Sequence, residues 1–139
     1  MSAPHVRAAT AADLPEVLRL WSALAASEHA LGVPIRPDPE AQQSWLASFE
    51  RHLGRFSFLW VVEHDGVIAG FLLARLKTRP AYFENALIGE LCSVFVDPAL
   101  RGIGAGEALV RAAIDALRAS GAKAIEVDAQ ECNPLAQAF

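Results

Sequence analysis

Three glycines at alternate positions, Gly102, Gly104 and Gly106, follow an apolar segment and precede an amphipathic helical pattern. A strand that enters a helix through such a turn leaves the first N–H groups of the helix unpaired, with the positive end of the helix dipole behind them. Glycines let a ligand approach these amides closely, and Arg101 adds positive charge at the rim. This spacing predicts an anion site suited to a pyrophosphate; the alternative is a flexible turn that binds nothing.

Two other phosphate-binding patterns fit these glycines less well. A Walker loop requires Gly-Lys-Ser/Thr, and the segment GIGAGEAL contains neither lysine nor a hydroxyl residue. A dinucleotide-binding fold places a ribose-binding acid about twenty residues further on, close to Glu126 and Asp128. That fold also requires a tight turn, whereas DPALR separates the strand from the first glycine, and the eleven residues after Asp128 are too few for further strand–helix units.

The surrounding patterns predict the elements that position this turn. In chain order they are strand HVRAAT, helix AADLPEVLRLWSALAA, helix EAQQSWLASFERHL, strands FSFLWVVE, VIAGFLLARLK and ALIGELCSVFV, the helix after the glycines, strand AKAIEVDA and a helix start at NPLAQAF. Asp65-Gly66 is typical of a two-residue hairpin turn with positive φ. The order predicts a mixed α/β sheet, mostly antiparallel, flanked by helices and closed by one strand–helix–strand crossover.

The bulk composition restricts the function classes. A chain of 139 residues without a long Pro, Gly or Ser-rich linker is expected to be a single domain, 1–139. A net charge of -4 argues against nucleic acid or an anionic membrane as partner. The longest apolar runs are too short to span a membrane, and the first residues lack a signal-peptide pattern, so we expect a cytoplasmic protein. Two cysteines provide no disulfide framework.

At the glycine turn the chain resembles the GNAT superfamily of N-acetyltransferases. The family signature, Gln or Arg, two residues, Gly, one residue, Gly or Ala, is matched by Arg101, Gly104 and Gly106. The V-x-P motif that usually precedes it is found at 96–98, with Val94 two residues earlier. The order of the predicted elements matches the family along the whole chain.

The resemblance implies acetyl-CoA as cosubstrate and no metal. Backbone groups of the preceding strand would pair with the pantetheine arm, and the amides of the turn would hold the pyrophosphate. The residues assigned to CoA in this way are Val94, Phe95, Val96, Arg101, Gly102, Ile103, Gly104, Ala105, Gly106 and Asn133. A backbone N–H near Val96 would also polarise the thioester carbonyl and stabilise the oxyanion that forms when an amine attacks.

The acceptor amine is protonated at neutral pH, so the transfer requires a base. The resemblance favours a carboxylate on the strand before the turn, which makes Glu90 the candidate catalytic residue; the alternative is a glutamate that faces solvent. Glu126 and Asp128 on the next strand are substitute bases, or part of a solvated strand face. Cys92 lies within an apolar strand and is interpreted as a packing residue, so direct transfer in a ternary complex is expected rather than an acyl-enzyme.

Other chemistry-bearing side chains have no comparable spacing. The four histidines are scattered without a metal-ligand pattern, so no metal site is predicted. Several residues belong to segments that line the acceptor side in similar proteins, and their aromatic members are interpreted as core or interface rather than substrate contacts. These residues are Trp21, His29, Trp45, Tyr82 and Phe83.

The end of the chain departs from the family pattern. The family motif Asn, two residues, Ala, two residues, Phe-Tyr is matched by Asn133, Ala136 and Phe139, and the chain stops before the tyrosine that protonates the departing thiolate. The two C-terminal strands that usually follow are also missing from the chain, so the domain is expected to be incomplete there. An exposed edge at AIEVD would need a cover, so we expect a homodimer or a truncated chain.

The leading hypothesis is therefore an N-acetyltransferase that moves an acetyl group from acetyl-CoA to a primary amine of a small molecule or peptide. The alternative, from another class, is a catalytically weak or inactive acyl-CoA-binding or interaction module that retains only the nucleotide site. The short C-terminus is the main support for that alternative.

Overall fold

The computed structural model describes residues 3–127, which form one five-stranded sheet with helices on both faces. The strands are β1 (His5–Ala8), β2 (Ser57–His64), β3 (Val67–Thr78), β4 (Leu87–Val96) and β5 (Ala124–Val127), and the helices are α1 (Leu14–Ala30), α2 (Pro39–Ala47) and α3 (Ala105–Ala119). The sheet order is β1-β2-β3-β4-β5, antiparallel from β1 to β4 and parallel between β4 and β5. The predicted mixed, mostly antiparallel sheet flanked by helices is confirmed.

The local predictions hold where backbone preferences are strong. Asp65 and Gly66 have φ of 52° and 79° and connect β2 to β3 as a two-residue turn. The second helix is shorter than its apolar pattern predicted, because α2 ends at Ala47 and a short 3₁₀ turn follows at Glu50–His52. Leu53, which the longer helix would have buried, is 37% exposed.

The sheet separates two apolar cores, and the alternation of side chains along β3 decides which core each residue joins. Phe71 and Leu73 pack with α1 and α2, whereas Leu72 and Ala74 pack with α3. Arg75 and Lys77 follow Phe71 and Leu73 at alternate positions, so they lie on the same face of the sheet as α1 and α2. Unlike Phe71 and Leu73, they are exposed and lie outside the apolar core of that face.

A buried ion pair fixes the corner between β1 and α1. Arg7 donates to both oxygens of Asp13, at 2.7 and 2.9 Å, and also to Glu63 on β2 at 2.8 Å. Asp13 in turn accepts from the backbone N–H of Thr10 at 2.7 Å, which closes a capping box before α1. The hydrogen bonds with Arg7 hold the pKa of Asp13 well below the ordinary value, although burial of its side chain, which is only 8% exposed, acts to raise it.

We expect Asp13→Asn to lower the free energy of unfolding by about 2–3 kcal/mol, because a buried charge-assisted pair is broken and Arg7 loses its main partner. A depressed folded-state pKa stabilises the fold above the ordinary value of 3.8 and ceases to do so as the pH falls below it. Urea titrations at several pH values should therefore show wild-type stability declining on acidification in that range, and a flatter profile for the variant.

Glu63→Gln is the matched control, because the Glu63 side chain is 34% exposed and shares the same arginine. Its cost should stay below about 1 kcal/mol. Equal losses for both variants would contradict the assignment of Asp13 as the stabilising member of this corner.

Candidate functional site

Beyond Leu91, β4 has no neighbour on its β5 side among the described residues, and we call this part of the strand its open edge. Among the described residues, β5 pairs with β4 only from Ile88 to Leu91. The N–H of Asp97 donates to the carbonyl of Ala69 at 2.7 Å, towards β3. Because N–H and C=O groups alternate between the two sides of an antiparallel strand, the backbone groups of Val94 and Val96 point away from β3, to the open edge.

A β-bulge precedes this edge. Leu73 pairs with Ser93 and Ala74 with Leu91, so Cys92 is an extra residue on β4. The bulge reverses the alternation of side chains between the two faces of β4. Leu91 packs with α3, whereas Phe95, an even number of residues later, packs with α1 and α2. Cys92 and Phe95 thus share the α1/α2 face, beyond Leu91, the last residue of β4 that has a described partner on β5.

The glycine turn connects the open edge to the start of α3. A 3₁₀ turn at Pro98–Leu100 follows β4, and Gly102 and Gly104 have φ of 88° and 82°, which side chains rarely adopt. Gly104 is the N-cap of α3, and no side chain of residues 3–127 caps the helix. The first N–H groups of α3, from Ala105 onwards, therefore have no acceptor within the helix.

Space is open above this turn. A Cβ added to Gly102 or Gly104 meets no atom within 4 Å, so the outer side of the loop is free for an anionic group to approach the amides. Arg101 donates from Nε to the carbonyl of Val96 at 3.2 Å, and its guanidinium lies 5.8 Å from the centroid of the Phe95 ring. This places a cation between the open edge of β4 and the start of α3, where the amides and the helix dipole already favour an anion.

Five charged side chains from three neighbouring strands lie together on the α1/α2 face, and we call them the charge cluster. They are Arg75, Lys77 and Arg79 of β3 and the following loop, Glu90 of β4 and Glu126 of β5. Lys77 Nζ bridges the two carboxylates, at 3.1 Å from Glu90 and 2.9 Å from Glu126. Arg75 Nε lies 3.1 Å from Glu90, and Arg79 pairs with Glu126.

Glu90 is therefore not a solvent-facing strand residue. Its side chain is 14% exposed and lies two residues before Cys92, on the same face. Burial alone raises the pKa of Glu90, but the hydrogen bonds from Lys77 and Cys92 and the charges of Lys77 and Arg75 outweigh burial and lower it below the ordinary value. The carboxylate is consequently ionised at neutral pH and able to accept a proton.

Cys92 is a free thiol held in a polar contact. Its Sγ donates to Glu90 Oε1 at 3.4 Å and accepts from Arg75 Nε at 3.3 Å, while its other side packs on the α1/α2 core. Burial raises the pKa of this thiol, so the thiolate needed for nucleophilic attack is disfavoured. The geometry supports the interpretation of Cys92 as a packing residue.

The aromatic residues of the acceptor side divide into two groups. Trp21 and Trp45 stack at 5.3 Å within the α1/α2 core, as expected for packing residues. Tyr82 and Phe83, in the loop between β3 and β4, are 80% and 48% exposed. Phe83 is linked to the charge cluster, because Arg79 lies 5.2 Å from its ring centroid.

Three results concern only the part of the chain that the structure describes. Asn133 and Asp128, assigned above to CoA and to a substitute base, lie outside residues 3–127. Within that range no group of His, Cys, Asp and Glu side chains has the arrangement of a metal site. No helix of these residues is long and apolar enough to cross a membrane.

Sequence reasoning predicted the strand before the glycines and the glycine turn, but missed the open edge of β4, the bulge and the charge cluster. The signal for the cluster was the alternation of Arg75, Lys77 and Arg79, which places two cations on one face of a strand and a third directly after its end. Their partners on β4 and β5 depend on strand register, which this alternation does not specify.

Known proteins have similar sequences. Residues 19–139 match the family model described as the acetyltransferase (GNAT) family. A mycothiol acetyltransferase of Beutenbergia cavernae is 37% identical over 83 residues, which are 60% of this chain and 26% of that protein. The chain thus matches about a quarter of the length of this relative.

Solved structures share the fold. A mutant of a Bacillus halodurans protein superimposes with a TM-score of 0.81 at 25% identity, over 97% of this chain and 88% of that one. The aminoglycoside N-acetyltransferase AAC(6')-Iy in complex with CoA gives a TM-score of 0.76 at 21% identity, over 99% and 84% of the two chains.

Proposed function

The chain belongs to the acetyltransferase (GNAT) family, and we propose that it transfers an acetyl group from acetyl-CoA to a primary amine by direct attack in a ternary complex. The observation that carries this proposal is the junction of the open β4 edge with the uncapped start of α3. One part suits an extended amide-bearing arm, and the other suits a pyrophosphate.

Each part of this junction has a defined task. The outward-pointing backbone groups of Val94 and Val96 pair with the pantetheine arm in the manner of an added strand. The amides that follow Gly104 hold the pyrophosphate, and Arg101, which contacts the Val96 carbonyl in the free protein, adds charge. One of the outward-pointing N–H groups of the edge, at Val94 or Val96, donates to the thioester carbonyl and stabilises the developing oxyanion.

Glu90 serves as the base in this proposal, directly or through one water molecule. It removes a proton from the acceptor ammonium, and the resulting amine attacks the thioester carbon. The new C–N bond forms, the C–S bond breaks, and the second proton on nitrogen leaves with the CoA sulfur as the thiol. Glu90 suits this task because it lies just before the bulge, is largely buried and is ionised at neutral pH.

The acceptor is proposed to be a small molecule with a primary amine. Relatives named for mycothiol and for aminoglycosides support this class, and a peptide amine remains the other candidate. A second function, acyl-CoA binding without turnover, is favoured by the ion pairs that already occupy Glu90. The homodimer and the cytoplasmic location remain predictions.

The test is release of free CoA thiol from acetyl-CoA in the presence of a panel of amines. Thiol release that saturates with one class of amine, above the rate without an amine, supports the transferase. CoA binding that is measurable by calorimetry but gives no thiol release with any amine would favour the binding module.

A further inference from the structure

The guanidinium of Arg101 lies on the open edge that the pantetheine arm is proposed to use. Arg101 Nε donates to the carbonyl of Val96 at 3.2 Å. The N–H of the next residue, Asp97, points towards β3, so the carbonyl of Val96 is one of the backbone groups that face the open edge. The guanidinium also lies 5.8 Å from the centroid of the Phe95 ring, beside the last two residues of β4. One side chain therefore contacts a carbonyl that an added strand would use.

Arg101 also belongs to the glycine turn. It is the C-cap of the 3₁₀ turn at Pro98–Leu100 and comes three residues before Gly104, the N-cap of α3. A guanidinium forms paired, charge-assisted hydrogen bonds with phosphate oxygens, which are stronger than a bond to a neutral carbonyl. Three flexible methylenes connect this guanidinium to the backbone. Both partners belong to the same turn, so an exchange of one for the other requires a new direction of the side chain and leaves β4 and α3 in place.

We propose that Arg101 makes the site selective for thioesters that carry a pyrophosphate. In the free protein it closes the end of the open edge, and an arm pairs there only after the guanidinium has left the carbonyl of Val96. A pyrophosphate at the start of α3 supplies the replacement partner, whereas pantetheine and other thiols without phosphate do not. This selectivity rests on the proposed function, because it uses the same edge and the same anion site.

The exchange has opposite effects on the two parts of the ligand. Any arm that pairs with the edge loses the hydrogen bond between Arg101 and Val96, and a bond of this kind changes an equilibrium constant by about 2- to 10-fold. The pyrophosphate gains a charge-assisted hydrogen bond, which changes the constant by about 10- to 100-fold. Arg101 therefore opposes binding of the arm alone and favours binding of the complete CoA.

Arg101→Ala separates these two effects. The dissociation constants of pantetheine and of CoA are measured from the shifts of backbone amide resonances in the full chain. The variant should bind pantetheine about 2- to 10-fold more tightly than the wild-type chain and at the same time bind CoA more weakly. The ratio of the pantetheine constant to the CoA constant should fall by about 10- to 100-fold.

Three controls distinguish an exchange from a general loss of charge. Arg118→Ala removes an exposed arginine in the last turn of α3, at the end of the helix away from the glycine turn, and should leave both constants unchanged. Gly104→Ala should weaken the binding of CoA and leave that of pantetheine as in the wild-type chain. Inorganic pyrophosphate should raise the affinity of the wild-type chain for pantetheine, but not that of Arg101→Ala, because it draws the guanidinium away from the edge.

Tighter binding of pantetheine together with weaker binding of CoA supports the selectivity. Pantetheine binding that Arg101→Ala does not strengthen, including binding that is undetectable in both proteins, overturns it and leaves the proposed function intact if CoA binds the wild-type chain. A variant that binds CoA as tightly as the wild-type chain overturns it as well, since Arg101 then gives the pyrophosphate no contact. If CoA shifts no amide of the edge or of the turn in the wild-type chain, the proposed site fails together with the selectivity.

Discussion

Gly104→Ala should weaken CoA binding by about 10- to 100-fold, which corresponds to the loss of one charge-assisted hydrogen bond. Gly104 has a φ of 82° and stands as the N-cap of α3, where an added Cβ meets only open space in the free protein. In the proposed complex that space holds the pyrophosphate, so a methyl group there blocks its approach to the amides. The dissociation constant from calorimetric titration with CoA is the measurement.

Gly54→Ala provides a control for backbone strain. Gly54 has a φ of 89° with nothing within 4 Å of an added Cβ, and it lies between α2 and β2, away from the glycine turn. Both variants should lose about 1–2 kcal/mol of unfolding free energy, the cost of a side chain in the left-handed region. A Gly104→Ala protein that binds CoA as tightly as the Gly54→Ala protein would place the pyrophosphate elsewhere.

Glu90→Gln should reduce turnover by at least about 100-fold while leaving the affinity for CoA unchanged. Glutamine has nearly the same shape but is a far weaker base, and it loses the ion pairs with Arg75 and Lys77. Steady-state thiol release gives kcat, and CoA titration of the same sample shows whether the nucleotide site is intact.

The pH profile gives an independent check on this role. Because the pKa of Glu90 lies below its ordinary value of 4.5, the carboxylate stays ionised from about pH 5 upward. Because the amine binds as its ammonium and Glu90 is already ionised, turnover should show no acid limb near neutrality and should fall only below about pH 5, at a position that does not move when the amine is changed. A loss of turnover near neutral pH that shifts with the basicity of the amine would show that the free amine is the reactive form and would contradict Glu90 as the base.

Two glutamate variants show whether the effect is specific. Glu63→Gln changes a carboxylate on β2 that pairs with Arg7. Since β3 separates β2 from β4, this change should leave turnover unchanged. Glu126→Gln tests the substitute base on β5, which shares Lys77 with Glu90. If Glu126→Gln abolished turnover and Glu90→Gln did not, the base would have to be reassigned to Glu126.

The sequence alone determined the features that depend on local backbone preference. The Asp65-Gly66 turn, the apolar stripe of α3 and the glycines before it each require particular residues at consecutive positions, and the structure has these elements as predicted. The proposed anion site depends on the same local features, since it would consist of main-chain amides at one helix start. The extent of α2 was not predictable in this way, because its apolar pattern continued past Ala47, the residue at which the helix ends.

Only the tertiary structure decided the surroundings of Glu90. Its partners Arg75 and Lys77 come from β3, Glu126 of β5 shares Lys77 with it, and the bulge at Cys92 sets which face each residue of β4 occupies. A shift of one residue in strand register would turn these side chains to the opposite face. The sequence therefore specified the backbone that can hold an anion, whereas the charges around the candidate base follow from pairing between distant segments, which no local pattern encodes.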